Sequence, residues 1–223
     1  MQEVPSDAAP VRIEVFMDYH CPYSYRAVCW LDDLGPDLVQ VRYRLFALEQ
    51  VNRDAEAAEW RIWEQPFEYE QYRDRQDRRA LASFLATAIV EEHAGAAVSR
   101  RFRRAVYAAR FEDRMDISEP TLLDAAGVRA GLLPGWVGEA LADKSRTNAA
   151  RQRLADDWAA ARSPFLVFGV PTLVLEGQAP VYLRLAAPIP PADGASLLAA
   201  FRAFRDAAPA VLELKQPERA GSD

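Results

Sequence analysis

The chain has 223 residues, 50% hydrophobic and 27% charged, with 27 basic against 33 acidic side chains and a formal net charge of −6. That balance belongs to a folded globular protein and excludes wholesale disorder and general phosphate-backbone binding. Two cysteines, Cys21 and Cys29, and two histidines, His20 and His93, are too few for a disulfide framework or a Cys/His metal cluster, so no metal is expected.

Residues 1–10 and 216–223 are polar, Pro-containing ends that read as flexible tails. The start carries acidic residues where a secretory signal carries basic ones, and no apolar run approaches the roughly 20 residues of a membrane span. A cytoplasmic location, with no membrane and no nucleic-acid partner, is therefore expected.

Val11, Ile13, Val15 and Met17 alternate with Arg12, Glu14 and Phe16, and Phe16 makes the end of this strand apolar on both faces. Pro22 then opens a helical pattern, Tyr25, Val28, Cys29 and Asp32, which stops at Gly35-Pro36. A second strand follows over Val39 to Leu45, completing a βαβ unit with parallel strands. From about Ala55 to Ser163 the apolar period becomes helical, as in Leu81, Phe84, Leu85, Ala88 and Ile89. Gly95, Ser118 before Glu119-Pro120, Gly127 and Gly131 punctuate some five helices. Within this stretch Arg100, Arg101, Arg103 and Arg104 read as a solvated helix face. Trp60 with Trp63, and Tyr69 with Tyr72, are either ordinary core or the roof of a groove, and His93 suits a helix C-terminus.

Strand character returns at Val170 to Leu175 and Val181 to Leu185, a hairpin turning at Glu176-Gly177. The Pro-rich stretch Pro188 to Pro191 leads to a last helix with Leu197, Leu198, Phe201 and Phe204 inward. The order β-α-β, helical insert, β-β-α describes an α/β fold with a large all-helical insertion. Residues 11–52 and 164–207 form one discontinuous unit and 53–163 the insert.

The chemistry concentrates in His20-Cys21-Pro22-Tyr23-Ser24, between a strand end and a helix start. Free N–H groups and the positive dipole of the first helical turn stabilise a thiolate there, so the Cys21 pKa is expected to fall below the roughly 8.5 of a free thiol. Pro22 fits the first helical position, where its missing N–H costs nothing. Ser24 is placed to offer its hydroxyl or backbone N–H to the sulfur, and His20, if protonated, would add positive charge. Gly169-Val170-Pro171-Thr172 precedes the third strand, where a cis Val-Pro step would present the backbone of Val170 to whatever lies opposite. Cys29 reads as core.

The run Val15 to Tyr25, the segment Phe46 to Asn52, the helical insert and Gly169 to Thr172 together resemble the DsbA-like thioredoxin-fold family, and its cytoplasmic FrnE-type branch above all. The resemblance spans about Val11 to Arg205. It implies a thioredoxin fold, thiol-disulfide oxidoreductase activity, Cys21 as nucleophile and Pro171 as the cis-proline that faces it. His20, Pro22, Tyr23, Val170 and Pro171 would then meet the substrate. Where the family has a resolving cysteine, this chain has Ser24. Cys29 is no substitute, because eight residues of helix separate Cα atoms by about 12 Å, beyond the roughly 7 Å that a disulfide tolerates.

Three readings follow. Cys21 works as a monothiol, forming mixed disulfides with a protein or with a low-molecular-weight thiol, glutathione or an equivalent, as co-substrate. Alternatively the chain resembles the glutathione transferase kappa and 2-hydroxychromene-2-carboxylate isomerase relatives of the same fold, which bind glutathione. In the third reading the groove binds a partner without chemistry.

Overall fold

The computed structural model describes residues 9–54, 59–66, 80–176 and 178–211. The first βαβ unit consists of β1 (Val11–Met17), α1 (Pro22–Leu34) and β2 (Val39–Leu45). β1 and β2 pair in parallel from Val11↔Val39 to Met17↔Leu45. The helical part comprises α2 (Leu48–Asp54), a 3₁₀ turn (Ile62–Glu64), α3 (Leu81–His93), α4 (Ala96–Phe111), α5 (Pro120–Ala130), α6 (Trp136–Ala142) and α7 (Lys144–Arg162). The chain then returns through β3 (Thr172–Leu175) and β4 (Val181–Tyr182) to α8 (Pro191–Ala207). The sheet order is β2-β1-β3-β4, with β3 antiparallel to β1 and to β4.

This is the expected order. α2 begins at Leu48, so the helical part starts on the heels of β2. The hairpin strands are shorter than their apolar runs: Pro171 has no N–H to give the ladder, and β3 starts only at Thr172. The expected turn residue Gly177, the pair Tyr69 and Tyr72, and the tails 1–8 and 212–223 lie outside the described residues.

The end of β1 is buried on both faces, as its sequence implies. Ile13, Val15 and Met17 join Leu31, Leu45, Leu173 and Leu175 in the main core, whereas Phe16 faces a second cluster with Phe46, Ala161, Val167, Val170 and Val174. α3 is buried on all sides from Leu81 through Val90, its two polar side chains Ser83 and Thr87 bonding the Ile117 carbonyl oxygen and the Tyr19 hydroxyl, which makes it the central helix of the helical part. Trp60 and Trp63 are half-buried and pack against the main core. His93 closes α3. Among the described residues no helix is long and apolar enough to cross a membrane.

Four expectations change. Arg103 is not on a solvated face: it is buried, its guanidinium 3.6 Å from the centroid of Tyr43, donating to Glu91 at 2.8 Å and pairing with Asp32 at 3.4 Å. α4 packs on α1 with this side inward, so the arginine cluster divides between solvent and core. Gly127 does not punctuate but lies inside α5, where a Cβ would stand 2.6 Å from Val137 Cγ2; only hydrogen fits between α5 and α6. Ser118 bonds Asp116 and does not cap α5. Phe204 is exposed, because the buried stripe of α8 is limited to Gly194 and Leu198.

α7 is tied to the sheet by Asp157, which accepts from the backbone N–H of Leu45 and from Arg44, both at 3.0 Å. Burial pushes this carboxyl above the ordinary range, against the pull of Leu45 N–H, Arg153 and Arg44. The anchor fixes the helix whose C-terminal end delivers the loop carrying Val170.

Candidate functional site

Cys21 is the N-cap of α1, in extended backbone with φ −95° and ψ 114°, and Pro22 occupies the first helical turn. The sulfur accepts from the backbone N–H of Ser24 at 3.4 Å, so it meets one of the donors that every helix start leaves unpaired. From the other side the thiol donates to the carbonyl oxygen of Val170 at 3.2 Å. The Val170–Pro171 peptide bond is cis, as is Ser163–Pro164. Cys21 and Ser24 at the start of α1 thus meet Val170 and Pro171 from the loop before β3, with Tyr23 at the rim.

The electrostatics depart from the sequence expectation. Burial pushes the Cys21 thiol above its ordinary value. Hydrogen bonds from the Ser24 hydroxyl and from the N–H groups of Ser24 and Tyr23 pull it down, while Asp18 adds a smaller upward push. Desolvation outweighs the helix start because only 5% of the residue is exposed. Beside the sulfur, Arg110 Nε donates to His20 Nδ1 at 3.0 Å, which ties the loop to α4.

Asp18 organises the loop. Its carboxylate accepts from the backbone N–H of His20 at 2.7 Å and of Leu48 at 2.8 Å, joining the end of β1 to the start of α2. Its backbone carbonyl accepts from the Tyr107 hydroxyl at 3.1 Å and from Cys21 N–H at 3.2 Å. The sequence offered one signal for it, an acidic residue directly after a strand apolar on both faces. Tyr107 and Arg110, three residues apart on α4, gave none.

At the rim, Arg184 donates to the Tyr23 hydroxyl and its guanidinium lies 4.1 Å from the ring centroid. Leu166 and Phe168 are 76% and 72% exposed, and Phe168 packs on Tyr182 with centroids 5.2 Å apart. Both exposed side chains lie on the stretch that leads to Val170. Cys29 is not core: it is half-buried in α1, where burial pushes its thiol up to about 11 against the pull of Arg104. A cavity of about 980 Å³ lies elsewhere, around β2 and the C-terminal end of α1, and contains none of the expected site residues.

A β-α-β…β-β-α sheet with a cysteine at the start of its first helix facing a cis X-Pro step defines a thioredoxin-like protein. The chain belongs to the DSBA-like thioredoxin domain family, whose model matches residues 12–187. Among solved structures, a cytosolic disulfide reductase DsbM from Pseudomonas aeruginosa, determined with GSH, is 18% identical with a TM-score of 0.60, over 86% of this chain and 99% of that one. A 2-hydroxychromene-2-carboxylate isomerase is 19% identical with a TM-score of 0.56, over 90% and 99%. A protein from Nitrosomonas europaea described as a protein disulfide isomerase is 13% identical with a TM-score of 0.53, over 88% and 98%. At these identities the structures share the fold. No curated protein matches the sequence.

Proposed function

We propose that the protein is a thiol-disulfide oxidoreductase of the cytoplasmic, FrnE-like kind that works through Cys21 alone and uses a low-molecular-weight thiol, glutathione or an equivalent, as co-substrate. The observation that carries this reading is the position of the Cys21 sulfur, held between Ser24 N–H and the carbonyl of Val170 at the start of α1. A structure with this fold determined with GSH supports the choice of co-substrate.

The chemistry balances without a second cysteine. Cys21 first loses its proton to solvent, giving up the bond to Val170. The thiolate then attacks one sulfur of a disulfide, forms the Cys21 mixed disulfide and expels the other sulfur as thiolate. A second external thiolate attacks the substrate-side sulfur, re-forms a disulfide outside the protein and returns Cys21 as thiolate. In this scheme Ser24 steadies the thiolate, while the freed Val170 carbonyl and Pro171 align the substrate backbone. His20, Pro22 and Tyr23 border it.

Treatment of the intact chain with oxidised glutathione tests this. One glutathione adduct on Cys21, removed by added thiol and absent in Cys21→Ser, is the expected result. A Cys21 that stays unmodified, or saturable glutathione binding that survives Cys21→Ser, would overturn it in favour of the transferase or isomerase reading.

A further inference from the structure

We infer that the outer edge of β2 is an interface: two copies of this chain pair antiparallel along it, with the two-fold axis at Val41, and join their sheets into one.

Among the described residues β2 is an edge strand, paired with β1 alone. The two ends of that ladder fix which of its backbone groups face β1. Val11 N–H donates to the Leu38 carbonyl at one end and Phe46 N–H to the Met17 carbonyl at the other, so the even-numbered residues of β2 turn their groups inward. Those of Val39, Val41, Tyr43 and Leu45 therefore point away from the sheet.

The ends of this outward row are met within the chain. Val39 N–H donates to the Gly35 carbonyl at 3.1 Å, Arg153 donates to the Tyr43 carbonyl at 3.1 Å, and Leu45 N–H donates to Asp157 at 3.0 Å. The middle is left over. The carbonyl oxygens of Val39 and Val41 and the N–H groups of Val41 and Tyr43 have no partner among the described residues.

That remainder is complementary to itself. With Val41 opposite the same residue of a second copy, the two exchange both of their bonds, and Tyr43 N–H of each copy reaches the Val39 carbonyl of the other. Every open group is used once. The groups that this register would leave facing each other, Val39 N–H and the Tyr43 carbonyl, are the two already bonded within the chain. A foreign strand would bring a donor and an acceptor against those occupied groups, so the remainder favours a second copy. The side chains agree: Arg42 of each copy stands opposite Gln40 of the other, and no like charges meet.

Room for the second strand is present. The cavity of about 980 Å³ is lined by each residue from Val39 to Tyr43, hence along both faces of β2. β2 and β4 are opposite edges of the sheet, so the pairing makes no use of the Cys21 site or of its proposed activity.

Sedimentation velocity of the full chain over a dilution series tests the inference, and a reversible monomer–dimer equilibrium is expected. Val41→Pro removes an N–H that no bond within the chain uses, a change that an edge strand tolerates, and should give a folded monomer. Gln40→Glu sets a carboxylate opposite Arg42, and Gln40→Arg sets a second cation there. Each pair occurs twice by symmetry, so the dimer Kd should fall with the first and rise with the second, by about two- to thirty-fold. A chain that stays monomeric at its highest soluble concentration, a dimer unchanged by Val41→Pro, or a Kd indifferent to both changes at Gln40 overturns the inference. If circular dichroism shows that Val41→Pro does not fold, the two Gln40 variants decide.

Discussion

The thiol of Cys21 donates to the carbonyl oxygen of Val170 at 3.2 Å, across 149 positions of sequence and the whole helical insert. The carbonyl accepts the proton of the resting thiol and repels the thiolate. In the proposed reaction this contact would be lost first, leaving the Val170 oxygen free for a backbone N–H of an incoming chain.

Because burial holds the Cys21 proton, iodoacetamide labelling followed by mass spectrometry should accelerate with pH and continue to do so beyond the roughly 8.5 at which an ordinary thiol is half ionised. Asp18→Asn removes a negative charge that pushes the thiol up and should move the midpoint down. Ser24→Ala removes a donor to the thiolate and should move it up. A parent midpoint below that of a peptide cysteine contradicts this. The same shift has a stability consequence: the folded state binds the thiol proton more tightly than the unfolded chain. That contribution is complete below the ordinary thiol range and is lost as pH rises through the Cys21 value.

Ser24 is fully buried, with its backbone N–H 3.4 Å from the Cys21 sulfur. Ser24→Cys should restore an intramolecular disulfide on treatment with a mild oxidant, read as loss of both thiols in that turn while Cys29 remains alkylatable. Three alkylatable thiols after oxidation would mean that this turn is unable to close the bond.

Arg103 is paired with Asp32 and Glu91 in the core, whereas its neighbour Arg104 meets Asp33 with both side chains more than one third exposed. Arg103→Met leaves the buried Asp32 carboxylate without its guanidinium, while Glu91 keeps Arg153, and should cost about 3–5 kcal/mol in urea unfolding. Arg104→Met should cost under about 1 kcal/mol. Equal losses would show that burial does not separate the two.

At Gly127 an added methyl would stand 2.6 Å from Val137 Cγ2. Gly127→Ala should destabilise by about 1–3 kcal/mol, since α5 and α6 must part to admit it. Val137→Ala in the same chain should recover part of the loss, giving non-additive denaturation midpoints.

The strand-to-helix turn at Cys21 was legible in the sequence because its determinants are local: an apolar strand, a proline at the first helical position and a glycine where the helix stops. Val170-Pro171 was legible only through the resemblance, since a Val-Pro pair has no partner until the sheet is assembled. The contacts that Tyr107 and Arg110 make with the Asp18–His20 loop were hidden for another reason. Arginine next to an apolar stripe looks the same whether it reaches solvent or a neighbouring loop, and which of these occurs depends on how α4 packs on α1. The thiol pKa was misjudged on similar grounds. A helix start is visible in sequence, but the desolvation that outweighs it comes from residues far along the chain.

Of the 27 basic residues, only Lys144 and Lys215 are lysines, a bias that looks like a property of the coding genome and nothing more. Arg103 gives it physical meaning. Its planar group lies flat on Tyr43 while its edge reaches Glu91 and Asp32, so one side chain joins α4 to β2, α3 and α1. A lysine at this position would offer a single point of charge that cannot cover a ring and reach two carboxylates at once. Exchange of arginine for lysine, neutral over most of this surface, would here unlock the joint between the sheet and the insert.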